Sequence, residues 1–181
     1  ITNAPRSFSL TTGPDLGTAF TGAGGNDVFI AGDVAGAATF TTADALDGGA
    51  GTDTFYITSA NAVSAPVGAT VTGIDTAVVT GGSTVNLNTT GWTGLTSLTS
   101  TSVGATTLTA ATSTDVTAAI TATGANAING GEDISVTQTG VVVGGTLTVG
   151  ATTSAAKTVT VSSTSSTVDT TTQGTIAVTG G

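Results

Sequence analysis

Short runs in which Thr or Ser alternates with Val, Ile, Leu or Ala recur along almost the whole chain, broken every few residues by glycine or Ser-Thr corners. Thr146-Leu-Thr-Val149 and Thr158-Val-Thr-Val161 are two of them. A period of two sends alternate side chains to opposite faces, so such runs suit strands with one face buried and the other wet. The strong helix formers Glu, Lys, Gln, Met and Arg are almost absent. Thr, which favours strands, makes up about a quarter of the chain. The expected fold class is all-β.

The strand candidates include Ala69–Val71, Thr76–Val79, Thr84–Leu87, Leu95–Leu98, Thr106–Leu108, Val116–Ile120, Asp133–Thr137 and Thr175–Val178. Strands this short, joined by tight corners, fit a parallel β-solenoid, in which each coil buries its apolar face on its neighbours. Fragments repeat weakly: Thr76–Gly82 reads TAVVTGG and Thr175–Gly181 reads TIAVTGG. No strict period emerges. A β-sandwich therefore remains the alternative for the C-terminal part.

What stabilises the fold is a separate question, because Cys is absent and aromatic residues are only 4% of the chain. A disulfide framework is excluded, which leaves repetitive strand stacking and bound metal as sources of stability. The net charge of −9, with Arg6 and Lys157 as the only basic side chains, speaks against nucleic acid. No apolar run approaches the roughly 20 residues of a membrane helix, so no membrane insertion is expected. Without His or Cys there is no Ser-His or Cys-His nucleophile pair, and no enzyme is expected.

The acids crowd into the first third of the chain: Asp15, Asp27, Asp33, Asp44, Asp47 and Asp53, with no basic residue among them. Composition thus divides the chain near residue 60, into an acidic, Gly-rich module (1–60) and a Thr/Val/Ala-rich strand array (61–181). Asn61–Pro66 is the expected connector. The sequence starts at Ile1 and contains no Met, and it is read as a piece of a larger protein.

Within the acidic module, Gly48-Gly-Ala-Gly-Thr-Asp-Thr-Phe-Tyr56 matches the nonapeptide Gly-Gly-x-Gly-x-Asp-x-U-x, where U is large and apolar. Gly22-Ala-Gly-Gly-Asn-Asp-Val-Phe-Ile30 is a looser copy, with Asp27 and Phe29 in step with Asp53 and Phe55. Calcium takes six to eight oxygen ligands in flexible geometry, so carbonyls can serve beside carboxylates. Glycine reaches positive φ and can turn its carbonyl inward. Like charges this dense oppose compaction, and a divalent cation reverses the effect. The expected cofactor is Ca2+. Its candidate ligands are the carboxylates of Asp27 and Asp53, with Asn26 and the turn residues Gly24, Gly49 and Gly51.

The stretch from Ser9 to Ile57 resembles the calcium-binding modules of bacterial surface-layer (S-layer) proteins and of RTX proteins of type I secretion. Val71–Leu98 is similar to segments that follow such modules in S-layer proteins. The resemblance implies a calcium-stabilised β-solenoid on the bacterial cell surface, secreted and then self-assembled into a lattice. Its partners would be further copies of itself, with any contact to cell-surface polysaccharide made through regions outside this chain. A calcium-stiffened segment of a large secreted adhesin is the alternative. In one respect the chain departs from the RTX pattern. Asp27 and Asp53 are 26 residues apart, against about 18 between equivalent turns of a regular roll. The excess falls in Ala31–Thr42. Asp33, Asp44 and Asp47 are therefore expected to replace the ligands of a missing turn, with Asp15 as a further acid of the pattern. Asn129, Glu132 and Asp133 form a second acidic turn, read as solvated rather than metal-binding.

Overall fold

The computed structural model describes residues 4–121, 124–141, 145–165 and 174–180. Asp169 lies outside them. The chain winds as a parallel β-solenoid of about seven turns. One wall is an eight-stranded sheet built from Ser7–Ser9, Val28–Ala31, Thr54–Ser59, Thr76–Gly81, Ser97–Ser102, Asp115–Ile120, Ile134–Val141 and Val159–Ser165, in that spatial order. The facing wall has six shorter strands, from Val63–Ser64 through Val85–Asn88, Thr106–Thr109, Ala125–Asn129 and Thr146–Val149 to Thr175–Val178. Every neighbouring pair in both walls is parallel. The parallel winding continues through the C-terminal strands, so the sandwich alternative does not hold there. The large sheet also runs without a break across residue 60, since Thr54–Ser59 pairs with Thr76–Gly81.

The period-two pattern explains the walls. Within Thr54–Ser59 the side chains of Phe55, Ile57 and Ser59 are buried, while Tyr56 and Thr58 face outward. Parallel register then stacks equivalent positions into files. Phe8, Phe29, Phe55, Ala77, Leu98, Val116 and Ile134 follow one another up the core. On the facing wall, Leu87, Leu108, Ile128 and Val149 do the same. Each coil thus buries its apolar side chains against those above and below, which no single coil could do alone.

Coil length is not constant. Equivalent residues in successive coils are offset by between 18 and 29 residues, which is why no period is visible in the sequence. The coil between Asp27 and Asp53 sheds its excess as a small antiparallel hairpin, Asp33–Val34 paired with Ala37–Ala38. Its two central residues, Ala35 (φ 52°) and Gly36 (φ 83°), both adopt positive φ, as the tightest hairpin turns require. Thr39 closes the base of the hairpin: its hydroxyl accepts from the Gly32 amide and donates to the Gly32 carbonyl.

The two ends of the stack differ. At the N-terminal end, the guanidinium of Arg6 lies 4.8 Å from the centre of the Phe8 ring, and Phe20 packs on the same ring. At the other end, Ile176 and Val178 continue core files yet are 46% and 47% exposed. Trp92, the one tryptophan of the sequence, is buried against Phe40 and Phe55.

Candidate metal centre

The two glycine-rich turns lie directly on top of one another. Thr21 bridges Asp47, the Gly22 amide donates to the Asp47 carbonyl, and the Gly48 amide donates to the Thr72 carbonyl. Gly22, Gly48 and Gly73 therefore occupy equivalent places in three successive coils, and Asp27, Asp53 and Asp75 end the three turns. The 26-residue offset leaves the register intact, because the hairpin carries the surplus away from the corner.

Glycine is required here by contact. A Cβ on Gly48 would lie 2.1 Å from the Gly73 carbonyl oxygen and 2.6 Å from Asp53 Oδ2. A Cβ on Gly22 would meet the Gly48 carbonyl oxygen at 1.9 Å and Asp27 Oδ2 at 2.5 Å. Gly49 and Gly51 have positive φ and press against the carbonyls of Ala23 and Gly25 in the coil below. Carbonyl and carboxylate oxygens thus crowd the space that side chains would otherwise fill.

The aspartates form a relay through the backbone. The amide of Arg6 donates to Asp27 Oδ1, that of Asp27 to Asp53 Oδ1, and that of Asp53 to Asp75 Oδ2, each at 2.7 Å. Asp27 Oδ2 accepts from the Ala23 amide. Asp53 Oδ2 is buried and has no hydrogen-bond partner among the described residues. Burial pushes the Asp53 carboxyl above the usual range. The Asp27 amide opposes that shift, and the charges of Asp27, Asp75 and Asp47 reinforce it. An unpaired oxygen on a buried carboxylate is costly, and a cation at that oxygen would remove the cost.

The remaining candidates are placed as follows. Asn26 Oδ1 accepts from the Thr52 amide one coil above. Gly24 lies half-buried within the first turn. Asp47 is exposed, and its Oδ1 accepts from the Gly49 amide. Asp15 and Asp44 are buried at a different corner, where each closes a local turn. Asp15 takes the amide and hydroxyl of Thr11, and Asp44 takes those of Thr41 together with the Asp15 amide. Asp33 sits at the far end of the long strands, accepting from the Ser59 hydroxyl and the Ala60 amide. The strand Thr54–Ser59 separates it from Asp53 by roughly 20 Å at the rise of an extended chain. The structure therefore brings Asp27, Asp53, Asp47 and the glycine turns together, and sets Asp15, Asp44 and Asp33 apart. Asp75 is the residue that sequence reasoning missed. Its signal was present: Asp75-Thr-Ala77 repeats the spacing of Asp27-Val-Phe29 and Asp53-Thr-Phe55, but with a small residue in the apolar place.

The second acidic turn is engaged by protein donors. Asn129 Oδ1 accepts from the Thr152 amide, Glu132 pairs with Lys157, and Asp133 Oδ1 accepts from the Thr158 amide. That last amide holds the Asp133 carboxyl below its ordinary value. Arg6 and Lys157, the only basic residues, thus mark opposite ends of the corner that carries Asp27, Asp53 and Asp75.

Among the described residues, no three acidic side chains converge as a metal-binding group. A cation at the stacked turns would instead rely on Asp53 and Asp27 together with carbonyl oxygens. That oxygen-only donor set, with one unsatisfied carboxylate oxygen, fits a hard divalent cation. No family model and no curated protein matches the chain.

Proposed function

We propose that this chain is a structural segment of a bacterial cell-surface protein, a β-solenoid that calcium stabilises and readies for assembly into an S-layer lattice. The observation that carries the reading is the buried, unpartnered Oδ2 of Asp53, held between the carboxylates of Asp27 and Asp75 on stacked glycine turns. Asp27 and Asp53 would hold the ion with carbonyls of the two turns, and its charge would offset that of the buried Asp53 carboxylate. The resemblance of Ser9–Ile57 to S-layer and RTX modules adds the cellular setting.

The test is a calcium titration of the intact protein followed by light scattering and electron microscopy. Ordered sheets or tubes that appear with calcium and disperse in EGTA are the expected result. Calcium-dependent stiffening without lattice contacts would turn the assignment to the adhesin alternative. Scattering and morphology that ignore calcium would defeat the reading.

A further inference from the structure

The hairpin that absorbs the surplus of the coil between Asp27 and Asp53 also builds a cavity. It encloses about 280 Å³ between the hairpin, the ends of Val28–Ala31 and Thr54–Ser59, and the corner at Val63–Pro66. Insertions that leave the regular coils of a solenoid gather on one face and commonly form its binding surface. The walls combine an apolar floor of Phe40, Ile57 and Pro66 with the polar groups of Asp33, Thr41 and Ser59. Ser59 is itself 7% exposed and points its hydroxyl at Asp33 Oδ2. All the hydrogen bonds that Asp33 accepts go to Oδ2, from Ser59, Ala60 and Asn61; Oδ1 receives none among the described residues. Thr39 ties down the base of the hairpin, so the wall is preformed rather than waiting for a ligand to order it.

We propose that this cavity binds a small primary amine in its ammonium form. The ammonium group donates to Asp33 Oδ1 and to hydroxyl oxygens of the wall, while a short apolar body covers Phe40, Ile57 and Pro66. Charge selects the class. No basic side chain lines the cavity, so the Asp33 carboxylate has no counter-charge there. The chain as a whole carries −9, which raises the local concentration of cations and repels anions. A neutral ligand of the same shape gains the floor but not the ion pair. The cavity lies a strand's length from Asp53, so it does not depend on the calcium reading.

The test is an NMR titration of the isotope-labelled chain with n-butylamine at pH 7, against n-butanol and butyrate as neutral and anionic counterparts. It is run once in EGTA and once in about 5 mM calcium, a concentration chosen to saturate millimolar sites. Saturable shifts confined to residues 31–42 and 57–66 are expected with the amine, about tenfold weaker with the alcohol and absent with butyrate. Asp33→Asn, which keeps an acceptor for Ser59 and Ala60, should weaken the amine about tenfold. Ala62→Phe, which fills the mouth from an exposed position, should abolish binding with an unchanged melting temperature. Three results would overturn the proposal: equal binding of amine and alcohol, an Asp33→Asn variant that binds as well as the parent, or complete displacement of the amine by calcium. Because amine binding is read in EGTA as well, failure of the calcium reading leaves this result standing.

Discussion

The amide of Asp27 donates to Oδ1 of Asp53 at 2.7 Å across 26 residues of chain. That bond fixes the two glycine turns in register and turns the Asp53 carboxylate so that Oδ2 is left buried and unpaired. Stability of the corner and demand for a cation therefore have one geometric origin.

Calcium should raise the melting temperature. A ligand present at a hundred times its dissociation constant stabilises by about 2.7 kcal/mol, which for a chain of this size corresponds to roughly 5–11 °C. Calorimetry in EGTA and in a calcium series measures it. A flat melting temperature across the series would remove calcium from the account.

Asp53→Asn keeps an acceptor for the Asp27 amide and deletes the buried charge. Without calcium the variant should melt at or above the parent, because burial raises the Asp53 carboxyl and so disfavours its ionised form in the fold. With calcium the order should reverse, since the parent gains from the ion and the variant does not. A variant less stable than the parent under both conditions would mean that the carboxylate serves the relay alone.

Gly48→Ala should destabilise by more than about 2 kcal/mol, because its Cβ would fall 2.1 Å from a backbone oxygen that cannot swing away. Gly13→Ala is the control. Its Cβ meets nothing within 4 Å, and the change should stay within about 0.5 kcal/mol. Chemical denaturation of the two variants side by side decides it.

Phe55 is fully buried in the aromatic file between Phe29 and Ala77 and touches Phe40 edge-on. Phe55→Ala should cost about 3–5 kcal/mol. Its neighbour Tyr56, 42% exposed on the outer face, should tolerate Ala within about 1 kcal/mol. Comparable losses at both positions would contradict the inward–outward alternation.

What the sequence by itself determined is local. Alternation in Thr146–Val149 and Thr76–Gly81 set strand and facing, because side chains along a strand reverse every residue whatever lies beside it. Glycine spacing marked the turns at Gly22 and Gly48 for the same kind of reason, since only glycine fits their crowded faces. Register was decided by tertiary structure alone. Coil offsets of 18 to 29 residues hide the stacking from any periodic reading, and the hairpin at Asp33–Ala38, which carries the surplus of one coil, turns on positive φ at an alanine, which no propensity announces. Register also sorted the acids. Asp15, Asp33 and Asp44 share a charge with Asp53 and lie near it in sequence. They were carried to other corners and met by amides and hydroxyls, whereas Asp75, from beyond the acidic stretch, was brought beside it. A carboxylate's partners follow from which coil lies above and below it, and that is a property of the wound chain.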